Sequence, residues 1–416
     1  MLGLTLMDIA QMTIYVVLFV SLYFEIFLLI TFFEHVGSAR KIASPRHTNT
    51  SLPYVAVIVP CFNEEATVAG TLNSLLALEY PADKLEIIAV NDGSTDTTLE
   101  VLREFEHHQQ IRIIDKENGG KHSAMNAALE FTNAEIIGCL DADSFVEPEA
   151  LAHIISGFNS PEVAAVTPTI KVHNARGVLQ LIQRAEYNLS VFIRNAFALM
   201  DAQFITPGPF SFFRRNVIKE VGPWRHAHST EDLEMCLRLQ RNHHKVANAP
   251  NAIVYTTAPH TLKQLYKQRV RWTYGFVKNA IDYYYMFFNP RYGNLGLLVL
   301  PLSIVSLMSG VLLFSALIWN TTLRVLEEIV RFQAVGISIA TTKFDPFYIN
   351  TSVLMTVIMT LLVLTLILMG IGKYLAKDRI VSIDMPIFMA LYGFITPFWL
   401  TGALYKAVTS NNVRWR

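Results

Sequence analysis

Four stretches of the chain lack almost all charge: 9–33, 295–319, 351–371 and 385–405. Each is long enough for a helix to cross a hydrocarbon core of ~30 Å, which takes about 20 apolar residues. The first is interrupted only by Glu25, read either as lining a polar path or as paired inside a helix bundle. The fourth carries Pro386 and Pro397, which predict a kinked or shallow segment. Between 51 and about 289 the pattern changes to short apolar runs alternating with amphipathic stretches. Residues 54–60 form a near-continuous β-branched run, as expected of a strand buried on both faces. Further strands are predicted at 85–90, 111–114 and 136–140, and helices at 66–78, 95–105 and 123–131. This alternation predicts a parallel sheet with right-handed crossovers, an α/β domain of Rossmann type.

In such sheets ligands bind beyond the carboxyl ends of the strands. Charged and turn residues collect there: Asn63 and Glu64 after the first strand, Asn91-Asp92-Gly93 after the second, Asp141 and Asp143 after the fourth. Basic residues near the apolar stretches predict orientation. None precedes the first, whereas Arg40, Lys41 and Arg46 follow it, and Lys373, Lys377 and Arg379 follow the third. The central region is thus expected in the cytoplasm, the N-terminus outside, and 320–350 as an external loop. The first stretch is too long for a cleaved signal peptide, with no Lys or Arg ahead of it, and is expected to be retained. The expected organisation is an N-terminal membrane helix and linker (1–50), a cytoplasmic domain with interface helices (51–289) and a membrane region of about three spans (290–416).

Composition sharpens this picture. Apolar residues make up 52% of the 416, and charged residues only 16%, against about 25% in soluble proteins. Lys+Arg and Asp+Glu balance at 34 each, so nothing favours nucleic acid as a partner. Cys61, Cys139 and Cys236 stand far apart without a C-x-x-C pair, and are expected to be reduced and semi-buried.

Candidate chemistry sits in the central region. Gly119-Gly120-Lys121 precedes a helix and could hold a phosphate, although an ordinary helix entry has the same signature. Asp141-Ala142-Asp143 offers two adjacent carboxylates to a hard divalent cation, Mg²⁺ or Mn²⁺, whose other ligands would be substrate phosphates. Like charges this close are unfavourable unless something neutralises them. Thr230-Glu231-Asp232 opens a helix, where acidic first-turn residues are also ordinary. Gln268, Arg271 and Trp272 lie on one helical face. That pattern suits diphosphate binding and sugar stacking, or an amphipathic interfacial helix.

Read in order, Pro60-Cys61-Phe62-Asn63-Glu64, Asn91-Asp92-Gly93-Ser94-Thr95-Asp96, Gly119-Gly120-Lys121, Asp141-Ala142-Asp143, Thr230-Glu231-Asp232 and Gln268-Arg269-Val270-Arg271-Trp272 resemble the family 2 glycosyltransferases. Within them they resemble the membrane-embedded processive synthases of poly-N-acetylglucosamine, chitin, hyaluronan and cellulose. The resemblance implies a GT-A-like nucleotide-sugar-binding domain and an inverting, UDP-sugar-dependent transferase of the cell membrane. It implies that Phe62 lies against uracil and that Glu64 and Asp92 contact uridine. Lys121 and Asp141 would face the diphosphate and ribose, Asp143 with Asp141 would hold Mg²⁺ or Mn²⁺, and Asp232 would be the catalytic base. Glu231 and Glu234 are neighbouring alternatives for the base, with Glu231 otherwise on the acceptor side.

Gln268 and Arg271 match the signature of processive members, with Trp272 against an acceptor sugar and Arg269 at a variable position. The implied reaction adds a sugar, N-acetylglucosamine first among the expectations, to a growing β-linked polysaccharide. The alternative is addition of one or two sugars to a membrane lipid. Two departures stand out. Thr206-Pro207-Gly208-Pro209-Phe210 replaces the Ser-Gly pair many relatives have on the acceptor side, with Gly208 as the matching contact. Only three spans follow the catalytic region, fewer than in cellulose synthases, so a small membrane subunit or a homo-oligomer is an expected partner alongside membrane lipid.

Overall fold

The computed structural model describes residues 6–42, 52–335 and 352–409. Helix α1 (Leu6–Ile42) leads into an α/β domain. Its first half runs β1 (Val55–Cys61), α2 (Val68–Leu76), β2 (Leu85–Asp92), α3 (Thr98–Arg103), β3 (Ile111–Lys116), α4 (Lys121–Phe131) and β4 (Ile136–Cys139). These four strands are parallel in the order β3-β2-β1-β4. Every residue of β1 is buried, and its side chains alternate between two cores. Val55, Val57 and Val59 face α2, whereas Ala56 and Ile58 face α4.

The sheet as a whole is mixed, not parallel as the sequence pattern predicts. It continues through β5 (Ser144–Val146), α5 (Ala150–Gly157), β6 (Val163–Val172), α6 (Val178–Leu199), β7 (Ser211–Arg214), α7 (Arg215–Val221), α8 (Glu231–Arg241) and β8 (Lys245–Thr256). The order extends from β4 as β7-β6-β8-β5, with β7 antiparallel to both β4 and β6. In a flat sheet β4 and β5 would stand about 19 Å apart. The short link from Cys139 to Ser144 contains a turn, with Ser144 N–H donating to Asp141 O. It cannot cover that distance, so the sheet curls and brings Asp141 and Asp143 into its seam.

Helix α9 (Leu262–Asp282) then crosses to the membrane helices α10 (Leu300–Val335), α11 (Val353–Leu375) and α12 (Asp384–Thr409). Among the described residues four segments are long and apolar enough to cross a membrane: Met12–His35, Leu295–Ala334, Val353–Leu375 and Asp384–Thr409. The loop expected from residue 320 is helical up to Val335. At 1.5 Å per residue α10 is about 54 Å long, so it outruns the apolar stretch that revealed it. Arg46, Lys343 and the remainder of that expected loop lie outside the described residues. Helix α12 continues unbroken across Pro397. Glu25 accepts a hydrogen bond from Thr365 Oγ1 on α11 (2.8 Å), which favours its reading as a group paired inside the bundle.

Helix α6 joins the two halves. Phe192, Ala196 and Phe197 meet Leu28 and Phe32 of α1, Leu368 of α11, and Leu233 and Leu237 of α8 in one apolar cluster. Gly372 sits directly against the Asn188 carbonyl, where a side chain would not fit. Arg184 Nε donates to Asp384 Oδ2 (3.0 Å), and Asn188 Nδ2 to Asp378 Oδ2 (3.2 Å). The α11–α12 connection therefore lies on the same side of the membrane helices as the α/β domain.

Candidate active site

The carboxyl ends of β1 and β2 are laced together. Asn63 Oδ1 accepts from Thr95 N–H (2.8 Å), and Glu64 N–H donates to Thr98 Oγ1 (2.8 Å). Phe62 and Glu64 are half-buried at this tip, with Glu64 Oε2 accepting from Thr67 Oγ1 (2.9 Å). Gly93 turns the chain at φ +70°, and a Cβ there would strike the Asn118 backbone. Asp92 is buried, with both oxygens engaged: Lys116 Nζ (2.6 Å) and Gly119 N–H (3.0 Å) on Oδ1, Gly120 N–H (2.8 Å) on Oδ2. Its contacts hold the glycine loop in place, and that loop aims Lys121 into the cleft.

There Lys121 Nζ donates to Asp141 Oδ1 (2.5 Å) and stands 4.0 Å from Glu231 Oε1. Burial disfavours its charge, but Asp141, together with Cys139, Glu231 and Asp232, outweighs this and holds the amine well above its ordinary value. Glu231 is buried, and burial raises its carboxyl above the usual range; Lys121 opposes the shift and Asp232 adds to it. Asp232 is half-buried, its backbone carbonyl accepting from Thr206 Oγ1 (2.7 Å). Gly208 of the same segment abuts the Lys121–Asp141 pair. Glu234, in contrast, is a structural group, bound by Arg238 Nη2 (2.9 Å) and Tyr283 OH (2.7 Å).

The loop ahead of α8 is strained. Ala227, His228 and Ser229 have φ of 41°, 55° and 62°, a conformation costing roughly 1–2 kcal/mol per residue. Helix α9 holds it there. Arg271 Nη1 donates to Ser229 O (3.2 Å), Asn279 Nδ2 to Thr230 Oγ1 (2.9 Å), and His228 pairs with Asp282 (2.9 Å). A cavity of about 550 Å³ opens against this loop, lined by Arg225, His226, His228 and Asp282 among others. The His122 and His226 rings meet edge-on at 5.4 Å, and burial together with His226 holds His122 below its ordinary value.

Gln268 and Trp272 are half-buried on α9, and Gln268 Oε1 is enclosed without a partner among the described residues. Arg269, at the position that varies across the family, is buried here, bonded to Glu186 and lying over the Trp272 ring. Sequence reasoning also missed His226, Asn279 and Glu186. Asn279 lies seven residues beyond Trp272 on the same helix, a spacing that could have flagged it. The three cysteines are fully buried, not semi-buried, and burial pushes all three thiols up, Cys139 to about 12.

Among the described residues no three His, Cys, Asp or Glu side chains gather as a metal-ligand group. Asp141 and Asp143 give two hard carboxylates at one strand end. That set fits a divalent cation whose remaining ligands are diphosphate and water oxygens.

A curled α/β sheet with an acidic strand-end cleft is the nucleotide-sugar-binding fold of GT-A type. Residues 53–275 match the family model described as "Glycosyltransferase like family 2", and the chain belongs to that family. It is 31% identical over 272 residues to a poly-beta-1,6-N-acetyl-D-glucosamine synthase of Staphylococcus epidermidis, covering 65% of this chain and 66% of that protein. It is 33% identical over 224 residues to the synthase of the same name from Staphylococcus aureus strain COL, covering 53% and 54%. The chain thus matches between about half and just under two thirds of these relatives' lengths. Among solved structures it resembles a Pyrobaculum calidifontis mannosyltransferase in complex with GDP-Man and Mn²⁺, with TM-score 0.59 and 18% identity over 94% of this chain and 99% of that one. At that identity the likeness concerns the fold.

Proposed function

We propose that this protein is a membrane-bound inverting glycosyltransferase that moves N-acetylglucosamine from a UDP-sugar to the end of a growing β-linked polysaccharide. The observation that carries the reading is the bond from Arg271 to Ser229 O. It ties the helix bearing Gln268 and Trp272 to the loop that presents Glu231 and Asp232, while that helix packs on α12 through Leu265, Val270, Trp399 and Ala403. Catalytic loop, acceptor helix and membrane helix thereby form one unit. The names of the Staphylococcus relatives support the choice of sugar and polymer.

In this reading Phe62, Glu64 and Asp92 define the uridine end, and Lys121 and Arg271 face the diphosphate. Asp141 and Asp143 would hold Mg²⁺ or Mn²⁺, which when bound neutralises charge on the leaving group. Asp232 takes the proton from the acceptor hydroxyl as its oxygen attacks the anomeric carbon. The bond from that carbon to the diphosphate oxygen breaks, and UDP leaves. One displacement on an α-linked donor gives a β-linked product. Trp272 supplies a stacking platform for the terminal sugar. The α/β domain faces the cytoplasm and the N-terminus lies outside, in keeping with Lys377 and Arg379 on the domain side of α11.

The test is transfer from radiolabelled UDP-N-acetylglucosamine, beside a panel of other UDP-sugars, by the full chain in nanodiscs with sizing of the product. Long β-linked chains are expected. A product of one or two sugars on a lipid would replace the polymer reading with lipid glycosylation, and no transfer from any UDP-sugar would overturn both.

A further inference from the structure

Three helices meet at one ion pair between buried Arg269 and half-buried Glu186. Arg269 Nη2 donates to Glu186 Oε2 on α6 (2.7 Å). The other oxygen, Glu186 Oε1, accepts from Tyr392 OH on α12 (3.0 Å). Tyr392 in turn stacks on Phe388 with ring centroids 4.3 Å apart. On its own helix the Arg269 guanidinium lies 4.6 Å from the centre of the Trp272 ring. Arg269 is 8% exposed, and its Nε has no partner among the described residues.

Stability alone is a poor reason for this arrangement. Apolar residues of similar volume commonly serve as well as a buried ion pair, because desolvation offsets the attraction. What a guanidinium adds is a flat cation that occupies one face of the indole and fixes the ring plane. Only the opposite face is then left for a sugar.

We propose that Arg269 is a positioning residue that fixes the single acceptor-stacking face of Trp272, and that Glu186 and Tyr392 tie this setting to membrane helix α12. The inference rests on the acceptor role given to Trp272 above. It makes the orientation of the terminal sugar depend on contacts among α6, α9 and α12 made by Arg269, Glu186 and Tyr392, three residues with no nucleotide role above. Helix α12 then becomes part of what sets chain length.

The test uses the full chain in nanodiscs, labelled with 5-fluorotryptophan, with the Trp272 signal assigned by Trp272→Phe. In Arg269→Gln the Trp272 ¹⁹F resonance should shift and broaden, and in Arg269→Lys it should return part of the way. Mean product length per UDP-binding site should fall about three- to tenfold in Arg269→Gln, the range expected for loss of a half-buried cation–π contact. UDP affinity should stay within about twofold, because Arg269 bonds to Glu186 and lies over Trp272, neither of which is given to the nucleotide. The double variant Arg269→Gln/Glu186→Gln removes the stranded carboxylate and should show the same shortening if the single variant folds poorly. An unchanged Trp272 resonance overturns the proposal, as does wild-type product length in Arg269→Gln when Trp272→Ala shortens chains. A wild-type protein that makes no polymer while Arg269→Gln still shifts the resonance would instead overturn the polymer reading, leaving Arg269 as the residue that sets the ring.

Discussion

Gly208 lies over the end of Lys121: a methyl on its Cα would stand 2.5 Å from Lys121 Nζ and 3.1 Å from Asp141 Oδ2. The segment expected on the acceptor side therefore also roofs Lys121, the cation proposed to face the diphosphate. Gly208→Ala would displace a flexible amine, leaving the fold intact but disturbing the Lys121–Asp141 bond. Donor affinity should drop about tenfold, in line with one charge-assisted hydrogen bond, with little change in Tm. Titration of UDP-sugar into the purified variant checks this, and unchanged affinity would show that the lysine end moves aside freely.

Asp143→Asn should abolish transfer and with it any response to Mg²⁺ or Mn²⁺. Activity is to be followed across a metal titration with EDTA as the zero point. Near-normal transfer by the variant in EDTA would remove the metal from this carboxylate pair.

Glu231 gives a pH signature. Burial raises its pKa above the ordinary 4.5, so the folded protein favours the neutral form. Its contribution to stability is present below the unfolded pKa and is lost as pH rises through the folded one. Glu231→Gln keeps the neutral shape at every pH. The variant should melt above wild type at pH 8, with the gap closing as pH falls toward the ordinary carboxylate range. A gap that widened on acidification would mean that attraction to Lys121 outweighs burial.

The junction between α11 and α12 carries a second buried pair. Lys373 and Asp384 are both fully buried, with Lys373 Nζ donating to Asp384 Oδ2 and to Ser382 Oγ, each at 2.8 Å. Lys373→Ala strands part of that carboxylate. The cost should be about 3 kcal/mol, the lower end for a broken buried pair, because Arg184 remains as a partner. Thermal unfolding in detergent reads it, and adding Asp384→Asn should recover part of the loss. An unchanged Tm would contradict the burial of this pair.

The sequence pattern placed β1 to β4 within about two residues of their observed ends, because each is a compact apolar run followed by turn chemistry. The second half of the sheet was not legible. Strand β5 has three residues and β7 four, too few to show a period. Their pairing also depends on the curl at Asp141–Asp143, a long-range property. Lys121, Asp141 and Glu231 could be named from motifs, yet the contacts of Arg269 could not, since Glu186 lies 83 positions away. The left-handed turn at Ala227–Ser229 was hidden for the same reason: three ordinary residues adopt it because Arg271, Asn279 and Asp282 hold it from another helix.

Asp232 is proposed to act on the acceptor while the nucleotide is held elsewhere. Asp232→Asn, purified in nanodiscs, is to be compared with wild type for UDP binding and for transfer from UDP-N-acetylglucosamine in the same preparation. Nearly unchanged UDP affinity is expected, with a loss of turnover of about 10²–10⁴-fold, the usual worth of a general base. Weakened UDP binding with substantial residual turnover would contradict it and make Asp232 a nucleotide ligand or a structural group.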